Sequence, residues 1–188
     1  MVRIFTALAL GAFVFASTPA TAEEGVTELF ATEAVTASDV TPVVSEKEGV
    51  LQIDSAWPTT VRLAKFDVKD KKIDQSVVKF TADLQAVNFT GKAFLEMWLH
   101  FPGKGFFFAR GLDNVLTQDS GWKSYSAAFV LKKDEQPDNV ILNLRFGGAG
   151  TVRVKNLKVT SDAGAPPPAA ATQEAEKPVE NPAEADEE

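Results

Sequence analysis

The side chains able to do chemistry are few, and their spacing excludes most catalytic devices. The 188 residues include no cysteine and a single histidine, His100. Disulfides, thiolate nucleophiles, cysteine metal sites and lipid attachment through a thiol are therefore absent. One histidine leaves at most one candidate for a Ser-His-Asp arrangement. Hydrolysis of a glycosidic bond needs two carboxylates flanking that bond. Between residues 49 and 160 the only glutamates are Glu96 and Glu135. Glu135 lies in the polar stretch Lys132–Gln136, which reads as a turn, and Glu96 alone on a strand reads as an ion-paired residue. His100 reads as a hydrogen-bonded residue at the rim of its strand, with ligand contact as the alternative. No Gly-x-Ser-x-Gly elbow occurs, and Gly148-Ala149-Gly150 lacks the third glycine and following helix of a nucleotide loop. Asp67, Asp70 and Asp74 are interspersed with Lys69, Lys71 and Lys72, a solvated loop rather than a calcium cage. Asn88-Phe89-Thr90 is a glycosylation sequon that matters only in a glycosylating host. No catalytic set and no metal-ligating set is expected.

Binding is the chemistry that remains. In the segment Phe94–His100 the apolar set is Leu95, Met97 and Leu99, and the opposite set is Phe94, Glu96, Trp98 and His100. In Val140–Phe146 the set opposite the core is Ile141, Asn143 and Arg145. Phe106, Phe108 and Arg110 share one phase of a further strand. If these strands share a sheet, one face carries aromatic rings, an amide, a carboxylate and cations. Flat aromatics with planar hydrogen-bonding groups suit sugar rings, whose apolar faces stack while their hydroxyls pair. The candidate ligand-binding residues are Trp98, Glu96, His100, Asn143, Arg145 and Arg110. The alternative is a face covered by a loop, with Glu96 and Arg145 ion-paired across strands.

The elements that must position these residues are strands. Period-two alternation recurs along residues 49–160, near Val50–Ile53, Val61–Val68, Val77–Leu84, Ala93–His100, Gly105–Arg110, Ser124–Leu131, Val140–Phe146 and Thr151–Val159. Gly147-Gly148-Ala149-Gly150 is expected to form a tight hairpin. Pro102-Gly103 begins another turn, and Pro137 breaks the chain before a strand. The apolar phase slips from Val152 and Val154 to Leu157 and Val159, which predicts a β-bulge near Lys155-Asn156. Long gaps between strands favour crossing connections. The fold class is all-β, a jelly-roll or Greek-key sandwich of about eight strands.

The run Phe94–Phe101, then Gly105-Phe106, Gly121-Trp122, Pro137-Asp138 and Gly150–Val154, resembles galactose-binding-like jelly rolls. These include the carbohydrate-binding modules of bacterial cellulases and xylanases. The resemblance covers residues 90–160 well and 49–89 only in pattern. It implies a non-catalytic sugar-binding module; a protein-interaction module of the cell envelope with the same sandwich is the second function class. Many such modules hold a structural calcium, but Lys155-Asn156 stand where acidic residues often follow the last Val-x-Val. That departure weakens the carry-over, and no cofactor is expected.

The ends of the chain differ from its centre. Residues 1–22 read as a secretory signal: Arg3, the apolar stretch Ile4–Ala16, and Ala20-Thr21-Ala22 before Glu23. The apolar stretch is shorter than the roughly 20 residues a bilayer requires, and no later segment is apolar enough to span. A secreted or periplasmic location after cleavage near Ala22 is expected. Residues 23–48 read as an acidic linker or a short docking helix, since Val26, Leu29, Phe30 and Ala34 fall at helical spacing. Residues 161–188, rich in Ala, Pro and Glu, read as a disordered acidic tail. The tail has eight acids and one base, residues 23–48 have seven and one, and residues 49–160 hold 16 bases against 11 acids. A mildly basic domain thus sits between two acidic arms, which aid solubility or fold back onto its basic surface. Its bases are scattered, so nucleic acid is not an expected partner; a glycan or an envelope protein is. The sequence leaves the oligomeric state open.

Overall fold

A computed structural model describes residues 25–32, 43–164 and 173–174. The expected signal segment, part of the acidic arm and most of the tail lie outside the described residues. The elements are β1 (Val26–Thr32), β2 (Val43–Lys47), β3 (Val50–Ser55), β4 (Thr59–Asp67), β5 (Val77–Phe101), β6 (Gly105–Arg110), β7 (Ser120–Val130), β8 (Asn139–Asp162) and β9 (Gln173–Glu174). The chain is all-β, as the alternation predicts. Among the described residues no helix is long and apolar enough to cross a membrane.

Two strands, β5 of 25 residues and β8 of 24, organise the molecule. They pair antiparallel from Val77↔Asp162 to His100↔Asn139. Their first and second halves send side chains into one core: Phe80, Leu84, Val152 and Val154 meet Leu95, Met97, Leu142 and Leu144. A single flat ribbon could not do this, so each strand turns a corner midway and supplies both layers. In the first layer β8 takes β3 and β1 on one side, and the first half of β5 takes β7. In the second layer the order is β4, β8, β5, β6 and β9. β8 therefore pairs with strands far from it in sequence, as crossing connections require.

The corner corrects the expected hairpin. Gly147–Gly150 lies inside β8, opposite Thr90-Gly91-Lys92 of β5. The two strands cross so closely that a Cβ on Gly148 would sit 1.9 Å from the Thr90 carbonyl oxygen, and one on Gly91 2.6 Å from that of Gly147. Gly91 and Gly150 also take φ values of +115° and +124°. The glycines serve close approach and bending within a strand, not a reversal of the chain. Eight expected strands accordingly merge into six, because two pairs are continuous through this corner.

The segment 26–32 is a strand on β8, not a docking helix. Its register slips between Glu28 and Phe30, and such a bulge mimics helical spacing in the apolar pattern. Phe30 then stacks on Phe66 of β4, with centroids 4.8 Å apart, closing one side of the sandwich. The bulge at Asn156 forms as expected: Thr81 faces Lys158 and Asp83 faces Lys155, with Asn156 at φ 53°. The Pro102-Gly103 turn also forms, with Lys104 N–H donating to the Phe101 carbonyl at 2.9 Å. The strand β8 runs two residues past the expected domain end at 160. Within the tail, Gln173-Glu174 pairs with Ala109-Phe108 at the edge of β6.

Candidate functional site

The second layer brings the sequence-predicted residues onto one outer face, in four rows fixed by strand register. The first row runs Thr60–Arg145–Phe94, and the second Arg62–Asn143–Glu96–Arg110. The third runs Lys65–Ile141–Trp98–Phe108, and the fourth Asp67–Asn139–His100–Phe106. Strand parity places all of them opposite Leu95, Met97, Leu99, Leu142 and Leu144, which are at most 1% exposed.

Parity decides the face but not the exposure. Glu96 is 0% and Asn143 6% exposed, so these two do not present themselves to a ligand. The two share a row in which β4 sets Arg62 beside Asn143 and β6 sets Arg110 beside Glu96. The carboxylate of Glu96 is covered by its own row and the next. Trp98 Nε1 donates to Glu96 Oε1 at 2.8 Å, and Arg110 Nε donates to Oε2 at 2.8 Å. The ion pair expected between Glu96 and Arg145 is therefore made by Arg110 instead. A buried carboxylate with two donors is satisfied, and it acts by positioning the groups above it.

Those groups are what the face offers. Trp98 is half-buried, its ring tilted against Phe106 and Phe108 at 6.0 and 6.3 Å. The Arg110 guanidinium lies 4.3 Å from the Phe108 centroid, within cation–π range. His100 is one-third exposed; its Nδ1 stands 2.6 Å from Asp138 Oδ1 and its ring packs on Phe106 at 4.8 Å. The hydrogen bond expected of His100 is made, to Asp138. Beside it, Asn139 Oδ1 is buried without a hydrogen-bond partner. Arg145 is half-buried, and its Nη1 donates to Thr60 Oγ1 at 2.8 Å.

Sequence reading missed Thr60 and Trp57. Trp57 is 66% exposed in the loop between β3 and β4, where Ser55 Oγ donates to its carbonyl at 2.7 Å. An exposed tryptophan before a proline was the available signal, but it lies outside any alternating segment. Glu135 is confirmed as a turn residue, since Lys132 N–H donates to its Oε2 at 2.9 Å. Among the described residues no cluster of three or more His, Asp or Glu side chains could hold a metal ion.

No protein-family model and no curated protein matches the chain. Several solved structures are similar to it. One is a CBM4 structure, 10% identical with a TM-score of 0.46, covering 68% of this chain and 78% of that one. Another is the CBM22-1 xylan-binding domain from Paenibacillus barcinonensis Xyn10C, 11% identical with a TM-score of 0.45, covering 75% and 88%. A third is a cyclase from Fischerella sp. TAU, 12% identical with a TM-score of 0.45, covering 70% and 75%. At such identities the function of the outer face has to be read from its own side chains.

Proposed function

We propose that the chain is an exported, non-catalytic binding module whose second-layer outer face holds a carbohydrate. The observation that carries this reading is the mounting of Trp98. A half-buried indole is held by a buried carboxylate and packs on two phenylalanine rings, which Arg110 and His100 also contact. A rigid aromatic surface supplies stacking area at low ordering cost, and the flanking guanidinium and imidazole supply hydrogen-bonding groups for hydroxyls. Among the described residues, the row neighbours of Glu96 are Asn143 and Arg110 rather than a second carboxylate. That supports binding over hydrolysis.

The test is binding of the exported chain to immobilised and soluble oligosaccharides, with Trp98→Ala alongside. Saturable binding lost in the variant, with the fold intact by circular dichroism, is the expected result. Binding to no glycan, together with capture of one envelope protein lost in Trp98→Ala, would move the function to the protein-interaction class. Export is tested by the mass of the protein recovered outside the cytoplasm, which should begin at Glu23.

A further inference from the structure

The corner of the sandwich builds a second feature on this face. β3 ends at Ser55 opposite Gly150, and β4 begins at Thr59 opposite Phe146, so the loop between them spans the same corner as the glycines. A cavity of about 230 Å³ lies there, lined by Pro58, Thr60, Phe94, Arg145 and Gly147 among others. This is below the roughly 300 Å³ at which pockets for drug-sized ligands begin, so it has room for one ring rather than an oligomer. Trp57, exposed and pinned by Ser55, directly precedes the wall residue Pro58.

Arg145 gives the cavity its chemistry. It stands between Phe94 on β5 and Thr60 on β4 in a single row. Thr60 Oγ1 takes one N–H of the guanidinium at 2.8 Å, and among the described residues no carboxylate pairs with it. A guanidinium has five donors in a fixed fork, so one anchoring bond orients it and leaves donors for a bidentate acceptor. Phe94 is half-buried and supplies the apolar wall.

We infer that this cavity is a subsite for one acidic sugar residue, its anion on Arg145 and its ring against Phe94. The inference rests on the carbohydrate-binding reading of the same face and names the class of sugar it prefers. A carboxylate or a sulfate ester would each satisfy the guanidinium.

The experiment is an NMR titration of the full chain, read at the tryptophan indole N–H resonances. The probes are methyl glucuronide, methyl glucoside, a sulfated glucose and sodium acetate. Glucuronide or the sulfated sugar should bind saturably and at least about tenfold more tightly than glucoside. Acetate should not saturate, because it lacks the ring. Arg145→Gln should abolish the preference, and Arg145→Lys should restore part of it, since charge is kept but the fork is lost. Should Arg145→Gln fail to fold, Thr60→Val serves, because it frees the guanidinium without removing its charge and should reduce the preference. Equal binding of glucuronide, sulfated sugar and glucoside, or a preference left undiminished by Arg145→Gln or by Thr60→Val in its place, overturns the subsite. Neutral oligosaccharide binding without an acidic preference would overturn the subsite and leave the sheet-face reading standing. An acidic preference carried by Arg145, with no oligosaccharide bound through Trp98, would do the opposite.

Discussion

Trp98 and Glu96, two residues apart on β5, point to the same side of the sheet, and the indole N–H of one donates to the carboxylate of the other at 2.8 Å. The carboxylate is fully buried while the indole is not, so a polar group without solvent access orients the largest aromatic of the face. The arrangement depends on Arg110 of β6, which occupies the second carboxylate oxygen. Removal of either donor therefore acts on stability and on the face together.

Arg110→Ala should destabilise the fold by about 3 kcal/mol, at the low end of roughly 3–5 for breaking a buried pair, since Glu96 is left buried without its counter-charge. Arg110 itself is 30% exposed, which places the loss at that lower end. Chemical denaturation of the variant beside wild type measures it. A variant as stable as wild type would show that the pair is solvated.

Trp98→Ala should cost about 2 kcal/mol, less than the roughly 3–5 of a fully buried aromatic. Leu142→Ala and Met97→Ala, both 0% exposed, should each cost about 2–5 kcal/mol and leave ligand preference unchanged. Unfolding midpoints of the three variants, measured together, decide this. If Trp98→Ala unfolds as readily as Leu142→Ala, the tryptophan belongs to the core.

Gly148→Ala should prevent folding or cost more than about 3 kcal/mol, because the new Cβ meets a backbone oxygen at 1.9 Å that no rotamer can move. Gly121→Ala, with nothing within 4 Å and no positive φ, should lie within about 0.5 kcal/mol of wild type. Thermal melts of the pair test the corner. A tolerated Gly148→Ala would mean that β5 and β8 cross less closely than described.

Truncation after Gly164 removes Gln173-Glu174 from the edge of β6 and should lower the melting temperature by less than about 4 °C, roughly 1 kcal/mol for a domain of this size. A larger fall in a calorimetric scan would make the tail an integral part of the second layer.

The only tyrosine of the chain, Tyr125, is 5% exposed, and burial holds its hydroxyl above the usual phenol range. The unfolded chain thus loses this proton first. Stability that is complete below about pH 10 should decline as pH rises through the higher value of the folded state. Ultraviolet titration of native protein should show a single phenolate transition displaced upward; one at the ordinary position would show that the hydroxyl reaches water.

Alternation by itself determined a good deal of this protein. Leu95, Met97, Leu142 and Leu144 are core, and Glu96, Trp98, Asn143 and Arg145 are opposite them, because successive side chains of any strand point to opposite faces. The bulge at Asn156 was equally legible, since an extra residue leaves its mark as a phase slip in the apolar pattern. What alternation cannot contain is the identity of a strand's neighbours. Whether Glu96 meets Arg110 or Arg145, and whether Asn143 reaches solvent, depends on which strands flank β5 and β8, a property of pairing across the sheet. The glycines at 147–150 permit a hairpin or a bend equally well, and the close approach to Thr90-Gly91 chose the bend. Val26–Phe30 has helical spacing, yet the unpaired backbone edge of β8 drew it into a strand, because tertiary hydrogen bonding overrides a weak local pattern. The cavity at Arg145 exists only because β3, β4, β5 and β8 meet at one corner, a juxtaposition of residues 58, 60, 94 and 145 that no local spacing records.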